Sequence, residues 1–468
     1  MPAERETWRQ GLRMAHPPSP ERIEAEKAEL AALDQLPPRA RARGYLRHLG
    51  PGFLQSALTL GAGTASTSLF AGAVFGYELL WVAPVAMLLG IVMFSAVAHQ
   101  TLSTGLRPLE AMRRHAGAPF AWAWAVGALL ASVIWHVPQY SLAAAALADM
   151  SDVAGLPALP PLAWSGAVLA WAVLLSLLYG TSAAAVRGYE RALKYMVWAV
   201  VLSFGLVVAK TGVSDWGALL RGFFTFRIPG ERNGVLGAVV ALSGLSAAVG
   251  VNMLFLYPYS LLARGWGREH RRLARYDLLF GMFVPYVLAT SLMIVATANA
   301  LHLHGSFDAA SLKPMDAAQA LGAVAGPVAG RVIFDLGLLG MTLSTITLHM
   351  LVCGFVGSEL FGWPVGSWRY RLVSLLPAPA FLAPLFWSRI AVWVAVPANI
   401  LCGLFLPVAY LGFLRLQRSR AYLGPDRPAG ARGGLWFGAM LLTTLLFVAW
   451  LSWFVATQGL EFLRGAPS

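Results

Sequence analysis

GPGFLQSALTLGAGTASTSLFAGAVFGYELLW, residues 50–81, begins as a membrane helix and breaks in its own middle. Gly61, Ala62 and Gly63 sit about halfway along, followed by Thr64, Ser66, Thr67 and Ser68. Glycine adopts dihedrals that other residues avoid, so it weakens a helix. In hydrocarbon an unwound backbone survives only where it is buried in protein or lines a cavity. A Gly-Ala-Gly interruption flanked by hydroxyls at bilayer depth is therefore a candidate substrate site. The competing reading is close helix packing through small side chains.

Composition sets the class. The 468 residues are 58% hydrophobic and 12% charged, with mean hydropathy +0.64, which excludes a soluble globular domain. Since about 20 apolar residues span a bilayer as a helix, the repeated apolar runs predict an all-α polytopic membrane protein. Cys353 and Cys402 both lie in apolar runs, so no disulfide framework or zinc site is expected. The net charge of +13 reads as basic cytoplasmic loops rather than a nucleic-acid surface. The first 43 residues are polar and show no signal-peptide core.

Residues 1–47 read as a basic N-terminal tail. Within it ERIEAEKAELAALDQL (21–36) has mixed charges at helical spacing, fitting either a surface amphipathic helix or a solvated tail. Eleven spans follow, near 52–75, 79–103, 119–149, 161–180, 187–210, 235–263, 277–301, 329–359, 372–387, 389–414 and 434–457, with a C-terminal tail at 458–468. The ninth is short and proline-rich. Arginines crowd alternate loops, on the side of the tail; residues 151–161 carry no Lys or Arg, and Arg221, Arg227 and Arg232 are a partial exception. The positive-inside rule then puts the N-terminus in the cytoplasm and, with an odd span count, the C-terminus outside a cell (inner) membrane.

Span 6, ALSGLSAAVGVNMLFLYPYSLLARGW, carries a second interruption, with Gly250, Asn252 and Pro258 as the disturbing residues. Breaks in spans 1 and 6, five spans apart, are the pattern of an inverted five-plus-five repeat, although a lone proline kink is the simpler alternative. His136 is the one ionisable group expected well inside the bundle. It is either a proton sensor or a neutral packing residue beside Trp135. His302 and His304 form an H-x-H pair in a loop, a weak metal signal alone. No Ser/His/Asp spacing, phosphate-binding loop or paired carboxylate marks an enzyme.

Several stretches carry a family resemblance. GPGFL with AGAVFGYELLW resembles the first span of the Nramp family of proton-coupled divalent-metal transporters. RGYERALKYM (187–196), RGW…RRLARYD (264–277) and LGLLGMTLSTIT (336–347) are similar to its spans 5 to 8. The resemblance covers residues 48–457 and implies a LeuT-type bundle of ten helices plus one, with discontinuous helices 1 and 6, working by alternating access. The family's Asp-Pro-Gly-Asn in the span 1 break matches Gly61-Ala62-Gly63-Thr64. Its Met-Pro-His in span 6 matches Val251-Asn252-Met253, or Met253 supplies the sulfur if the register slips. The acidic proton route of its span 3 falls on His136 and Gln139, and the glutamine of its span 10 on Asn399.

The usual metal ligands are thus replaced: Gly61, Thr64 and Val251 stand in their positions. A dehydrated transition-metal dication wants carboxylate, imidazole or soft sulfur, and countercharge. What remains is neutral: Thr64, Ser66, Thr67, Asn252, Tyr257, Tyr259, Asn399 and Gln139, with freed carbonyls near Gly61 and Gly250, and Gly63 completes the candidate set. Such a set suits a cation that keeps some of its waters, Mg²⁺ ahead of Mn²⁺, with a small organic or monovalent solute as the alternative. A non-transporting sensor or scaffold, as in the Nramp-like domain of the plant ethylene-signalling protein, is a third reading. No cofactor and no nucleic-acid partner is expected beyond the lipid bilayer and the transported solute or cation. Nothing in the sequence specifies an oligomeric state.

Overall fold

The computed structural model describes residues 12–179, 181–302, 312, 314–387 and 395–458. Among them nine helices are long and apolar enough to cross a membrane, and a bent pair raises the number to ten. The bent pair is span 1, Pro51–Thr59 (span 1a) and Ala62–Phe75 (span 1b), which meet at 55°. Span 6 is also interrupted, between Gly237–Ala248 (6a) and Val251–Ala263 (6b), where Val249 and Gly250 are extended. Its halves stay in line, so 237–263 counts as one span. The interruption is not at Pro258, which the helix accommodates in its interior.

Spans 1 and 6 cross so that 1a packs on 6b and 1b on 6a. Every residue of both but the half-buried Ala238 is buried, which is how an apolar chain hides two helix breaks from lipid. Around them, span 3 (Ala118–Val153) runs along span 8 (Ala329–Phe361), and span 8 along span 5 (Ala183–Thr211). Span 7 opens with a π-helical stretch, Asp277–Phe283, against span 1a. There the Asp277 carboxylate accepts from the amides of Gly50 (2.9 Å) and Gly52 (2.5 Å), and Ser56 Oγ donates to the Gly281 carbonyl at 2.7 Å. A carboxylate on two free N-terminal amides is a strong cap. It pins span 1a to span 7.

The expected ninth span differs. Its region forms three short pieces, Trp368–Ser374, Ala378–Leu382 and Ala383–Trp387, none long enough to cross. Pro377, Pro379 and Pro384 each remove a backbone donor, so no continuous helix can form there.

From residue 12 onward the N-terminal tail is docked. Its helix Pro20–Asp34 lies against the loop after span 6, where Trp266 Nε1 donates to Glu26 at 3.1 Å and Arg272 to Asp34 at 2.9 Å. Upstream, Ala15 N donates to Val365 O at 2.8 Å, beyond span 8. The tail thereby bridges spans 6–7 to span 8. On the opposite face Arg227 and Arg232 pair with Glu78 and Arg221 with Asp215.

Candidate functional site

At the span 1 break Leu60 and Gly61 leave the helix, Gly61 in an extended conformation. Almost every backbone group released there has a partner. Ala62 N donates to Gln139 Oε1 (2.8 Å) and Gly61 N to Thr59 O (2.9 Å). Thr59 O accepts from Thr64 Oγ1 (2.6 Å) and Leu60 O from Thr345 Oγ1 (3.3 Å). Gly63 O accepts from Thr67 Oγ1 (2.9 Å) and Asn399 Nδ2 (3.1 Å). Buried polar groups must be paired in this way or cost free energy. The glycines are needed for space: a Cβ on Gly63 would strike the Asn399 amide, and one on Gly61 would sit 2.8 Å from both Gln139 Nε2 and Thr345 Oγ1.

Asn399 is the hub. Its amide nitrogen also reaches Ser243 Oγ (2.9 Å) and Thr67 Oγ1 (3.2 Å), which are 2.8 Å from each other. Its carbonyl oxygen accepts from Trp135 Nε1 at 2.7 Å. One side chain thus ties spans 1b, 3, 6a and 10 together.

Beside this hub is a cavity of about 10 Å³, lined by groups including Thr59, Gly61, Gln139, Met253, His349 and Asn399. That is about the least volume that admits one water. A second, about 20 Å³, lies along span 1b between Thr64, Thr67, Ser68, Tyr286 and Thr290. At the end of span 1b a third of about 480 Å³ lies among Phe75, Glu78, Asp215, Arg227 and His302. Neither small cavity is lined by Asp or Glu.

The structure brings together Gly61, Gly63, Thr64, Gln139 and Asn399 around the first cavity, and places Thr67 between the two. Gly250 adjoins it: its N–H points at the Met253 sulfur (3.1 Å) and a Cβ there would strike the Trp135 ring. Three expected members are elsewhere. Val251 turns away, its carbonyl taking Trp124 Nε1 at 3.3 Å. Asn252 is bound to Ser132 Oγ (3.3 Å) and to the Met253 amide (2.9 Å). Tyr257 lines neither small cavity. It lies two turns below the break, edge-on to Phe94, with its hydroxyl on Ala274 O at 3.4 Å.

His136 is fully buried behind the cavity, its Nδ1 3.4 Å from Nδ1 of His349. Sequence reasoning missed His349, two residues beyond a quoted motif, together with the roles of Thr345 and Ser243. Met253, left open as the alternative register, is the sulfur that faces the cavity. The acids near span ends are engaged by arginine: Asp149 by Arg331, Glu78 by Arg232 (2.5 Å), Glu359 by Arg107 (3.2 Å). Asp335 was not singled out and is buried on span 8, outside both cavities. His302 caps span 1b through Ala73 O (3.2 Å), while His304 lies outside the described residues. Among the described residues no three His, Cys, Asp or Glu side chains form a metal cluster.

The same fold occurs in known proteins. A manganese transporter of Eremococcus coleocola superposes with a TM-score of 0.72 at 16% identity, covering 98% of this chain and 92% of that one. Mhp1, a nucleobase-cation-symport-1 family transporter, does so at 0.57 and 16% identity, over 87% and 93%. Both support the LeuT-type fold. In sequence, the divalent metal cation transporter MntH of Deinococcus radiodurans is 27% identical over 347 residues, 72% of this chain and 74% of that protein. The family model described as natural resistance-associated macrophage protein-like matches residues 52–453. With two interrupted spans crossing at one neutral polar hub and that match over most of its length, the chain belongs to the Nramp family of membrane transporters.

Proposed function

We propose that this protein is a secondary transporter working by alternating access, and that its cargo is a divalent metal cation taken partly hydrated, Mg²⁺ ahead of Mn²⁺. The transporter class is supported by the family, and the divalent cargo by what the relatives are named for. The choice of ion rests on one observation: neither cavity at the break is lined by a carboxylate. Stripping a dication of water inside a low-dielectric bundle is costly without countercharge. Hydroxyls and amides instead accept from and donate to an ion's retained waters. Thr64, Thr67, Gln139 and Asn399 are the groups proposed for this, with the Gly63 carbonyl in the first turn of span 1b. A cavity of about 10 Å³ holds one water, so the hydrated ion enters a conformation more open than this one.

One observation favours a second reading. Asn399, Thr67, Ser243 and the Gly63 carbonyl already satisfy one another, as they would in a carrier for a small organic or monovalent solute, or in a scaffold that moves nothing.

The test is flux in proteoliposomes loaded with a Mg²⁺-sensitive dye, run beside Mn²⁺ uptake with and without a proton gradient. Saturable Mg²⁺ entry with little Mn²⁺ entry is expected. Strong, proton-driven Mn²⁺ uptake refutes the argument from missing carboxylates. Absence of flux for both ions moves the weight to the second reading.

A further inference from the structure

We infer that His136 and His349 form a binding site for a soft monovalent cation, copper(I) by its chemistry, with the Met253 thioether across the adjoining cavity as third donor. The inference needs only these side chains and stands whether or not Mg²⁺ is the cargo.

The first argument is distance. The two Nδ1 atoms are 3.4 Å apart. That is longer than the roughly 2.7–3.2 Å of a well-formed nitrogen-donor hydrogen bond. It fits two imidazoles on one ion: with metal–nitrogen bonds of about 2.0 Å, trigonal to tetrahedral angles put the nitrogens about 3.3–3.5 Å apart. The second is satisfaction. His136 is 0% exposed, and its Nε2 has no hydrogen-bond partner. An ion held by the two Nδ1 atoms gives the His136 Nδ1 lone pair a partner and fixes the ring proton on Nε2, so it relieves the poorly paired Nδ1 and leaves the Nε2 N–H to a water.

The third argument is charge and softness. The donors are two neutral imidazoles and a thioether, with no carboxylate lining the cavity that His349 and Met253 share. Born energy scales with the square of charge, so a monovalent ion costs about a quarter of what a dication costs to bury there. Imidazole with thioether is a donor set that selects copper(I) over hard cations. The Met253 sulfur keeps a lone pair for the ion. Gly250 N–H occupies one side at 3.1 Å, and the single Thr59 hydroxyl proton has a better acceptor in Gln55 O (2.8 Å) than in the sulfur (3.3 Å). His349 lies on the cavity side of the pair and His136 behind it, so an ion enters from the break.

The experiment uses the purified full chain in detergent under anaerobic conditions. Copper(I) is titrated against the chromophoric chelator bicinchoninate, with silver(I) as a redox-inert check. One ion per chain is expected. Cys353 and Cys402 are alternative soft ligands, so binding must survive Cys353→Ser/Cys402→Ser. Affinity should fall about 100-fold in His349→Gln and in His136→Asn, and about 3–10-fold in Met253→Leu, scaled on losses seen at other metal sites. Excess Zn²⁺ or Mg²⁺ should not displace the ion. X-ray absorption of the loaded wild type should show two nitrogen neighbours, which a misfolded variant cannot mimic. No stoichiometric binding by the wild type, loss of binding with the cysteines, unchanged affinity in both histidine variants, or equal affinity for Zn²⁺ each overturns the assignment.

Discussion

Gly61→Ala is the sharpest test of where span 1 opens. The backbone at Gly61 (φ −119°, ψ −170°) is open to any residue, so the issue is space. The added methyl would sit 2.8 Å from Gln139 Nε2, 2.8 Å from Thr345 Oγ1 and 2.9 Å from Thr345 Cγ2. Neither neighbour withdraws freely. Gln139 is held by Ala62 N, and Thr345 Oγ1 lies within bonding distance of Met341 O (2.8 Å), Ala57 O (3.0 Å) and Leu60 O (3.3 Å). Overpacking of this kind costs about 1–3 kcal/mol. Thr345→Ala alone loses a buried hydroxyl donor, about 0.5–1.5 kcal/mol. It also removes two of the three close contacts, so the double variant should recover about 1 kcal/mol or more relative to the sum, beyond the roughly 0.3–0.5 kcal/mol scatter of independent sites. The assay is reversible unfolding in mixed micelles for all four corners of the cycle. Strict additivity would mean that Gly61 does not face Thr345, and the site built on this break would be misplaced. The same crowding sets a condition on restoring a carboxylate at this position: Gly61→Asp needs Thr345 cut back first.

Two further outcomes follow from the face that carries the tail. In Asp277→Asn only one acceptor oxygen remains for the amides of Gly50 and Gly52, and an NH₂ is turned on the other. The lost cap should cost about 1–3 kcal/mol and loosen span 1a, read as faster thiol labelling of Ser56→Cys; unchanged labelling would show that the cap does not hold this end shut. The tail should respond to acid late. Burial alone would raise the Asp34 carboxyl, but hydrogen bonds from Tyr45 and Arg272 outweigh it and hold it below its usual range. A carboxyl lowered in the folded state contributes above its unfolded value of about 3.9 and loses that contribution as pH falls through the folded one. Hydrogen exchange over residues 12–36 should therefore be flat from pH 8 to 5, after correction for intrinsic rates, and rise only below about pH 4. A rise between pH 7 and 5 would mean that some other group carries the docking.

What the sequence made legible was set by local rules. Small residues at Gly61–Gly63 and Gly250 announced both breaks, because helix stability is a property of neighbours in the chain. The prolines of 372–387 equally announced that a long helix could not form there, and hydropathy overrode them. Position around the helix was also readable in part. Met253, three residues past Gly250, returns to the same face, whereas Val251 is turned by about 100°. Tyr257 shares that face too, but seven residues of rise, about 10 Å, carry its hydroxyl past the cavity to Ala274.

Pairings across the fold were not legible. His349 is a single imidazole in an apolar run, and nothing near it in sequence distinguishes a ligand from a packing residue. Only the contact of span 8 with span 3 sets it against His136, 213 residues earlier. The tail is the same case. Its mixed charges fit a free or a docked helix equally well, and the arginine that decides between them is 238 residues from Asp34. Both follow from one asymmetry. In an apolar bundle the sequence pattern says which faces avoid lipid, but polar side chains inside it are selected by the few groups they meet. Asn399 shows the consequence: a neutral residue in span 10 looked like one ligand among many, and the structure makes it the joint of four spans. An ion that enters this site must therefore compete with Asn399 for the Gly63 carbonyl and the Thr67 hydroxyl, so affinity is governed by the strength of that joint as well as by the ion's own preference.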